Sequence, residues 1–122
     1  MHLHFRRSLL ASTALSLALA NLPAAPADLA EAGAGMDLVV EAVPERMELK
    51  ADLFGQMGGK LDTSVLLATN TSSLSVTAMQ EAVAHPERVV GVHFFNPPEK
   101  MPLVEVIRGK QTNDAAVATA CR

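Results

Sequence analysis

Apolar residues recur along this chain in short runs that are separated by stretches with helical spacing. Three runs, at 37–44, 64–70 and 89–95, are rich in Val, Leu and Phe and are bounded by Gly, Pro or polar residues, which predicts buried strands. The runs are continuous and do not alternate strictly, so they favour parallel strands covered on both faces. A fourth apolar run at 103–107 follows a proline-rich turn and predicts a further strand.

Helical patterns lie between and after these runs, at 28–36, 45–61, 75–84 and 113–122. In the longest one, Gly58 and Gly59 predict fraying or an early end. Ser75 or Ser73 is the expected N-cap of the third helix. Strands that alternate with helices predict an α/β fold, with a parallel sheet and right-handed crossovers.

The first 27 residues have a different composition from the rest. Arg6 and Arg7 precede a small-residue apolar run at 8–20, and Ala-Pro-Ala follows at 25–27, an order typical of a secretory signal peptide. The apolar run is too short to span a membrane. An amphipathic or buried helix fits the same residues. We therefore separate 1–27 as a helical or signal-like segment and keep both interpretations.

Length, charge and cysteine content exclude several classes of protein. A chain of 122 residues is at most one small domain, and its net charge of -3 gives no reason to expect nucleic acid or a membrane surface as a partner. The single cysteine, Cys121, allows no intramolecular disulfide and no cysteine-based metal site. His2 and His4 without further ligands are tail sequence, so we expect no metal.

A histidine and a glutamate in the last two predicted strands suggest acid–base chemistry. His93 lies near the carboxyl end of the run at 89–95, and Glu105 lies inside the run at 103–107, where an unpaired carboxylate would be costly. A carboxylate that accepts a hydrogen bond from an imidazole orients the ring for proton transfer. The spacing is compatible with a His93–Glu105 dyad, but by itself it agrees better with the plainer interpretation that His93 caps a strand and Glu105 faces solvent.

Three stretches carry a resemblance to a known family. They read Asn-Thr-Ser-Ser-Leu-Ser at 70–75, His-Phe-Phe-Asn-Pro at 93–97 and Met-Pro-Leu-Val-Glu-Val-Ile-Arg-Gly at 101–109. Together they resemble the L-3-hydroxyacyl-CoA dehydrogenase family, and most of all the dehydrogenase part of the multifunctional fatty-acid oxidation proteins. The resemblance runs from about residue 27 to about residue 114.

The resemblance implies a fold and a reaction. The fold is the second half of a Rossmann-like dinucleotide-binding domain over 28–114, with helices on the faces of the sheet, followed by a truncated helix start at 115–122. The reaction is oxidation of an L-3-hydroxyacyl-CoA to the 3-ketoacyl-CoA with NAD, in fatty-acid β-oxidation. Family members are cytoplasmic or organellar, so we expect a cytoplasmic protein, with export as the alternative that residues 1–27 suggest.

The resemblance also implies roles for single residues. His93 would be the general base, Glu105 the carboxylate that holds its imidazole, and Ser72 the serine near the substrate hydroxyl. The cofactor-binding residues would be Val43, Glu45, Lys50, Ser72 and Asn96.

Each of these residues also has a purely structural interpretation. Lys50 could be a solvated helix lysine, Ser72 a helix cap and Asn96 a turn residue before a proline.

One expected motif is missing. Dinucleotide-binding domains hold the pyrophosphate on Gly-x-Gly-x-x-Gly between a strand and a helix. Gly33 and Gly35 have the right separation, but they precede a strand, and Leu38 occupies the third glycine position. Family members also carry a helical C-terminal domain that supplies dimer contacts, for which this chain has no counterpart. We therefore expect a truncated or rearranged gene product, with a non-catalytic α/β interaction module as the alternative.

Overall fold

Five strands form a single sheet in a computed structural model that describes residues 8–11, 28–97 and 99–122, with the backbone alone at 8–11. The strands are β1 (Ser8–Ala11), β2 (Leu38–Glu41), β3 (Leu66–Thr69), β4 (Val89–Phe94) and β5 (Val104–Arg108). The helices are α1 (Leu29–Gly33), α2 (Met47–Lys60), α3 (Val76–Gln80) and α4 (Asp114–Ala120). The strands and helices that we predicted between residues 28 and 122 are therefore confirmed.

The strand order in the sheet follows the chain, β1-β2-β3-β4-β5. Strands β1 to β4 are parallel, whereas β5 runs antiparallel to β4. The direction of β5 follows from its connection, because the segment at 95–103 is too short for the crossover that a parallel neighbour needs. The carboxyl ends of β2, β3 and β4 consequently meet at one edge of the sheet.

Helices cover both faces of the sheet, as the continuous apolar runs predicted. Every residue of β2 and of β3 is buried. One face packs on α2 and α3 through ten core residues: Val39, Phe54, Met57, Leu61, Val65, Leu67, Val76, Met79, Val83 and Val89. The other face packs on α4 through seven: Leu38, Val40, Leu66, Ala68, Val90, Val92 and Ala116.

Two helix boundaries differ from the prediction. Helix α2 continues through Gly58 to Lys60. Gly58 packs against Val83 so closely that an added Cβ would lie 2.9 Å from a methyl carbon of that residue. Tertiary packing here outweighs the low helix propensity of glycine. Helix α3 ends at Gln80, well before residue 84. Its N-cap is Ser75, whose hydroxyl accepts a hydrogen bond of 3.2 Å from the backbone N–H of Ala78, so this part of the prediction is confirmed.

The N-terminal segment contributes a strand. Strand β1 pairs with β2 in a parallel register that runs from Ser8 opposite Leu38 to Ala11 opposite Glu41. The helical interpretation is therefore wrong for these four residues, because a short apolar run does not distinguish a strand from a helix by periodicity, and the edge of β2 offers backbone partners. Residues 1–7 and 12–27 lie outside the described residues, so the rest of that prediction is unchanged.

None of the helices within the described ranges has the length and apolarity needed to cross a bilayer.

Candidate active site

The loops that follow β2, β3 and β4 bring polar side chains together at the carboxyl edge of the sheet. In open α/β sheets this edge is where ligands bind. His93 comes from the end of β4, and Glu105 lies directly opposite it on β5. Glu45 follows β2, and Ser72 follows β3. The fold thus gathers residues that are far apart in the chain.

His93 and Glu105 are in contact, as predicted. The Nδ1 atom of His93 lies 3.1 Å from Oε2 of Glu105. The His93 side chain is 14% exposed and that of Glu105 is 51% exposed. Glu105 therefore faces solvent, as the alternative interpretation held, and also pairs with the histidine, as the dyad required.

Ser72 extends this pair into a chain of three side chains. Its Oγ lies 3.2 Å from Nε2 of His93, on the opposite side of the ring from Glu105. Because an ionised carboxylate can only accept hydrogen bonds, Glu105 favours the tautomer with its proton on Nδ1, which leaves the Nε2 lone pair directed toward Ser72. The ring of Phe95 packs on the imidazole with a centroid separation of 4.6 Å. The imidazole is thereby held on three sides.

The loop that carries Ser72 is held by Glu45. The Oε1 atom of Glu45 accepts hydrogen bonds from the Thr71 hydroxyl and from the backbone N–H groups of Ser72 (3.1 Å) and Ser73 (3.3 Å). Partial burial would raise the pKa of Glu45, but the hydrogen bonds from Thr71, Ser73 and Ser72 and the charge of Lys50 outweigh it, so the pKa lies below its usual range. Glu45 is therefore an ionised acceptor fixed to this loop.

Lys50 and Glu41 form a buried ion pair behind the loop. Their atoms lie 2.7 Å apart, and both side chains are 0% exposed. Glu41 also accepts from the Thr69 hydroxyl and from the backbone N–H of Val43. The solvated-lysine interpretation of Lys50 is therefore wrong, because α2 turns this residue inward against the only kind of partner that makes a buried ammonium tolerable.

The ammonium of Lys50 reaches three further oxygen atoms. It lies 3.2 Å from the carbonyl oxygen of Val43, 3.4 Å from that of Asn70 and 3.6 Å from Oε2 of Glu45. A single cation thus connects the loops that follow β2 and β3.

The five predicted cofactor-binding residues do not share one environment. Val43 is buried, and its backbone N–H and carbonyl groups are both bonded within the network around Lys50. Glu45, Ser72 and Asn96 are exposed at the sheet edge. The nicotinamide half of NAD presents ribose hydroxyls and a carboxamide, which the exposed polar groups of these three residues fit, whereas Val43 and Lys50 are buried behind them.

No individual role was predicted for Asn70 and Phe95, which lie within the motifs at 70–75 and 93–97, or for Glu41 behind this edge. Asn70 accepts a 3.3 Å hydrogen bond through Oδ1 from the backbone N–H of Phe94, which ties the end of β3 to β4. Phe95 stacks on His93. Glu41 is a carboxylate within the apolar run at 37–44, and that anomaly is the signal that could have directed a search for a buried cation.

Among residues 8–11, 28–97 and 99–122, no three His, Cys, Asp or Glu side chains cluster as they would around a metal ion.

The sheet, its helices and the polar edge together define an α/β domain of the dinucleotide-binding class, with a serine, a histidine and a glutamate in line at the ligand-binding edge. The chain belongs to the family described as 3-hydroxyacyl-CoA dehydrogenase, NAD binding domain, which matches residues 7–122. The cofactor of this family is NAD.

Two curated relatives illustrate the similarity. The chain is 46% identical over 86 residues to the fatty acid oxidation complex subunit alpha of Pseudomonas putida, which covers 70% of this chain and 12% of the relative. It is 48% identical over 88 residues to 3-hydroxyadipyl-CoA dehydrogenase of Escherichia coli, which covers 72% of this chain and 18% of the relative.

A solved structure is also similar to this chain in fold and in sequence. The crystal structure of 3-hydroxybutyryl-CoA dehydrogenase from Escherichia coli superposes with a TM-score of 0.70 at 48% identity, covering 74% of this chain and 19% of the other. The chain therefore spans less than a fifth of the length of each of these three proteins. The family match also extends on both sides of the 28–114 domain that we predicted, whose boundaries remain a prediction.

Proposed function

We propose that this chain takes part in the oxidation of an L-3-hydroxyacyl-CoA to the 3-ketoacyl-CoA with NAD. The observation that carries the proposal is the line of hydrogen bonds from Ser72 through His93 to Glu105 at the carboxyl edge of the sheet. The similarity to a fatty acid oxidation subunit, to a 3-hydroxyadipyl-CoA dehydrogenase and to a 3-hydroxybutyryl-CoA dehydrogenase supports the substrate class.

The chemistry of the proposal follows from the tautomer of His93. With its proton on Nδ1 and Glu105 as acceptor, His93 presents a lone pair on Nε2 that can take the proton of a substrate hydroxyl. Ser72, 3.2 Å from Nε2, lies where it can orient that hydroxyl toward the imidazole. Glu105 then stabilises the imidazolium that forms. In the reverse direction the same imidazolium returns the proton to the ketone oxygen.

Glu45, Ser72 and Asn96 are the residues that would hold the nicotinamide half of the cofactor, since they expose hydrogen-bonding groups at this edge. When bound, NAD supplies the acceptor for the hydride that leaves the substrate carbon. The buried Lys50 keeps its neighbouring loops in place and does not reach the exposed edge.

The proposal is tested by NADH binding and then by acetoacetyl-CoA reduction. The chain contains no Trp or Tyr, so the fluorescence of NADH can be followed against a low protein background, and we expect a saturable rise in emission. With acetoacetyl-CoA added, NADH absorbance should fall. His93→Gln should lower that rate by about 10²- to 10⁴-fold, the usual contribution of a general base.

His85→Gln is the matched control for this experiment. His85 is also paired with a carboxylate, with its Nδ1 atom 3.3 Å from Glu87, but it lies in an exposed turn before β4. Its replacement should leave the rate unchanged. Equal rates for His93→Gln and the unmodified chain would contradict the proposed role of His93, and no saturable binding of NADH would contradict cofactor binding by this chain.

A second substrate class has a specific observation in its favour. The chain is 40% identical over 92 residues to 5-formyl-3-hydroxy-2-methylpyridine 4-carboxylate 5-dehydrogenase of Mesorhizobium japonicum, covering 75% of this chain and 30% of the relative. The pyridine aldehyde named there is therefore the second substrate to assay beside acetoacetyl-CoA. Turnover of the pyridine alone would favour this class.

A further inference from the structure

Glu45 makes several hydrogen bonds with the loop 71–73, although its side chain is partly exposed at the ligand-binding edge. All of the loop donors that reach Glu45 converge on one carboxylate oxygen, Oε1: the Thr71 hydroxyl, the N–H groups of Ser72 and Ser73, and the Ser73 hydroxyl at 3.4 Å. Such charge-assisted bonds are roughly twice as strong as neutral ones. The position of the Ser72 backbone therefore depends directly on Glu45.

Glu45 is itself held from behind. Its other oxygen, Oε2, lies 3.6 Å from the ammonium of Lys50, which Glu41 fixes at 2.7 Å in the interior. Each end of the Glu45 carboxylate thus has its own set of donors: the loop at Oε1 and Lys50 at Oε2. A partial rotation of the carboxylate would lengthen the contacts at both oxygens, so its plane is fixed.

We propose that Glu45 is a positioning residue that sets the Ser72–His93 contact, and that the buried Glu41–Lys50 pair fixes Glu45 in place. This inference deepens the proposed function and rests on it for its catalytic meaning. It makes Glu45 more than a cofactor contact, because the hydrogen bond between Ser72 and His93 should depend on Glu45 even when no cofactor is bound.

The chemistry of Glu45→Gln makes it a sharp probe. The amide has the size of the carboxylate, but one oxygen becomes an NH₂ donor. In one orientation that NH₂ faces the ammonium of Lys50, and in the other it faces the donors of the loop. Either orientation sets donor against donor, so the loop should shift and the 3.2 Å contact between Ser72 and His93 should lengthen or break.

The measurement is the nitrogen-15 chemical shift of His93 Nε2 in the cofactor-free full chain, because this shift reports whether the ring nitrogen accepts a hydrogen bond. The chain has four histidines, and the signal of His93 is assigned by its disappearance in His93→Gln. Ser72→Ala provides the value for a lost hydrogen bond. In Glu45→Gln the resonance should move from the wild-type position toward that value.

Two further variants complete the test. Glu48→Gln removes the same charge from an exposed position of α2 and should leave the His93 resonance in place. Adding Glu45→Gln to Ser72→Ala should produce no further shift, since both changes act on one contact. If Glu45→Gln does not fold, Thr71→Val removes one of the donors to Glu45 and should produce a smaller shift in the same direction.

The outcomes separate this inference from the proposed function. An unmoved His93 resonance in Glu45→Gln or Thr71→Val, with or without weaker NADH binding, would overturn the positioning role. A shifted resonance in a chain that binds no NADH would support the positioning role and count against the proposed function. In active protein, Glu45→Gln should lower kcat, whereas a role restricted to cofactor contact would raise the KM for NADH and leave kcat unchanged.

Discussion

Lys50 carries a charge that is completely buried. Removing a charge from water costs several kcal/mol, and the protein recovers that cost only through close partners. Lys50 has the Glu41 carboxylate at 2.7 Å and the carbonyl oxygen of Val43 at 3.2 Å. These partners compensate the charge of Lys50 at the start of the loop after β2. The Glu41–Lys50 ion pair therefore lies directly behind the candidate active site.

Lys50→Met should destabilise the chain strongly, because it leaves Glu41 buried without its cation. We expect a loss of about 3–5 kcal/mol in the free energy of unfolding, measured by urea denaturation followed by circular dichroism. In the double variant Glu41→Gln, Lys50→Met, the amide oxygen can accept from the N–H of Val43 and the NH₂ can donate to the hydroxyl oxygen of Thr69, so most of that loss should be recovered.

Lys60→Met is the control for that measurement. Lys60 pairs with Asp28 at 3.4 Å, but both side chains are about half exposed, at 50% and 53%, so the change should cost less than about 1 kcal/mol. Similar losses for Lys50→Met and Lys60→Met would show that the buried pair is not the stronger one.

At the residue scale, the sequence identified single side chains more readily than their contacts. His93 at a strand end and Glu105 in the next apolar run suggested a contact, and the family resemblance favoured it; the contact is present, although Glu105 is half exposed and not in conflict with its surroundings. Glu41 was anomalous, but its partner could not be predicted, because α2 sets which residue faces inward and many rotations of that helix are compatible with its sequence. A charged residue in an apolar run can be recognised from the sequence, whereas the residue that pairs with it depends on how the helices and strands pack.

At the scale of elements, the approach of β4 to its neighbours depends on Gly91. A Cβ at this position would lie 2.9 Å from the Cβ of Ile107 on β5 and 3.1 Å from a methyl carbon of Val76 on α3. Gly91 comes two residues before His93 on the same strand, so its lack of a side chain lets β5 and α3 close over the face that carries the histidine.

Gly91→Ala should therefore destabilise the chain by about 1–3 kcal/mol through overpacking, measured as a lower urea midpoint. Gly59→Ala is the same substitution near the end of α2, where no atom lies within 4 Å of the added Cβ. It should stabilise the chain by about 0.5–1 kcal/mol, since alanine favours helical backbone. Changes of the same sign in the two variants would contradict this interpretation of the packing around β4.

Arg88 joins the start of β4 to α2 and to the loop between α2 and β3 in a way that the sequence did not reveal. Its guanidinium, buried just before β4, donates hydrogen bonds to the carbonyl oxygens of Gly58 in α2, of Asp62 and of Val65. Burial lowers the pKa of Arg88 from its ordinary value, an effect opposed by the charges of Glu87 and Asp62. Its acceptors are backbone atoms, which no side-chain pattern identifies, so propensity and periodicity located the elements but not this connection between them.

At the scale of the whole molecule, acid should unfold the chain through its paired carboxylates. Hydrogen bonds from Ser64 lower the pKa of Asp62, and the N–H of Ala30 lowers that of Asp28, in each case below the ordinary value of 3.8. The pKa of Glu45 also lies below its ordinary value, which is 4.5. As pH falls through this range the unfolded chain takes up protons first, so the stability from these groups is complete above their ordinary values and is lost toward lower pH.

We expect the urea midpoint to change little through these groups from neutral pH to about pH 5 and to fall below it. Glu45→Gln should be less stable than the unmodified chain at neutral pH, and the difference should shrink as the pH falls, because protonation removes the charge that the substitution removed. Glu48→Gln is the control for loss of charge on α2. A difference for Glu45→Gln that persists at low pH would contradict an ionised Glu45 in the folded chain.

The overall architecture was predictable between residues 28 and 122 because three hydrophobic runs alternate with helical patterns there. The N-terminal strand was not predictable, because a run of four residues carries too little periodicity to distinguish a strand from a helix. The direction of β5 depended on the length of a connection and not on the composition of the strand itself.

The position of Glu105 relative to His93 is fixed across two strands, by the register that pairs them, and not along the chain that connects them. Beyond Phe95 and Asn96, which belong to the candidate site, loop length can therefore vary at 99–103 through insertions or deletions that leave the two side chains facing one another. A single-residue insertion inside β5 ahead of Glu105 is different, since it would turn the carboxylate to the opposite face of the sheet. The loop can therefore change in length, whereas β5 cannot. A different loop could be grafted at this position without disturbing the pair formed by His93 and Glu105.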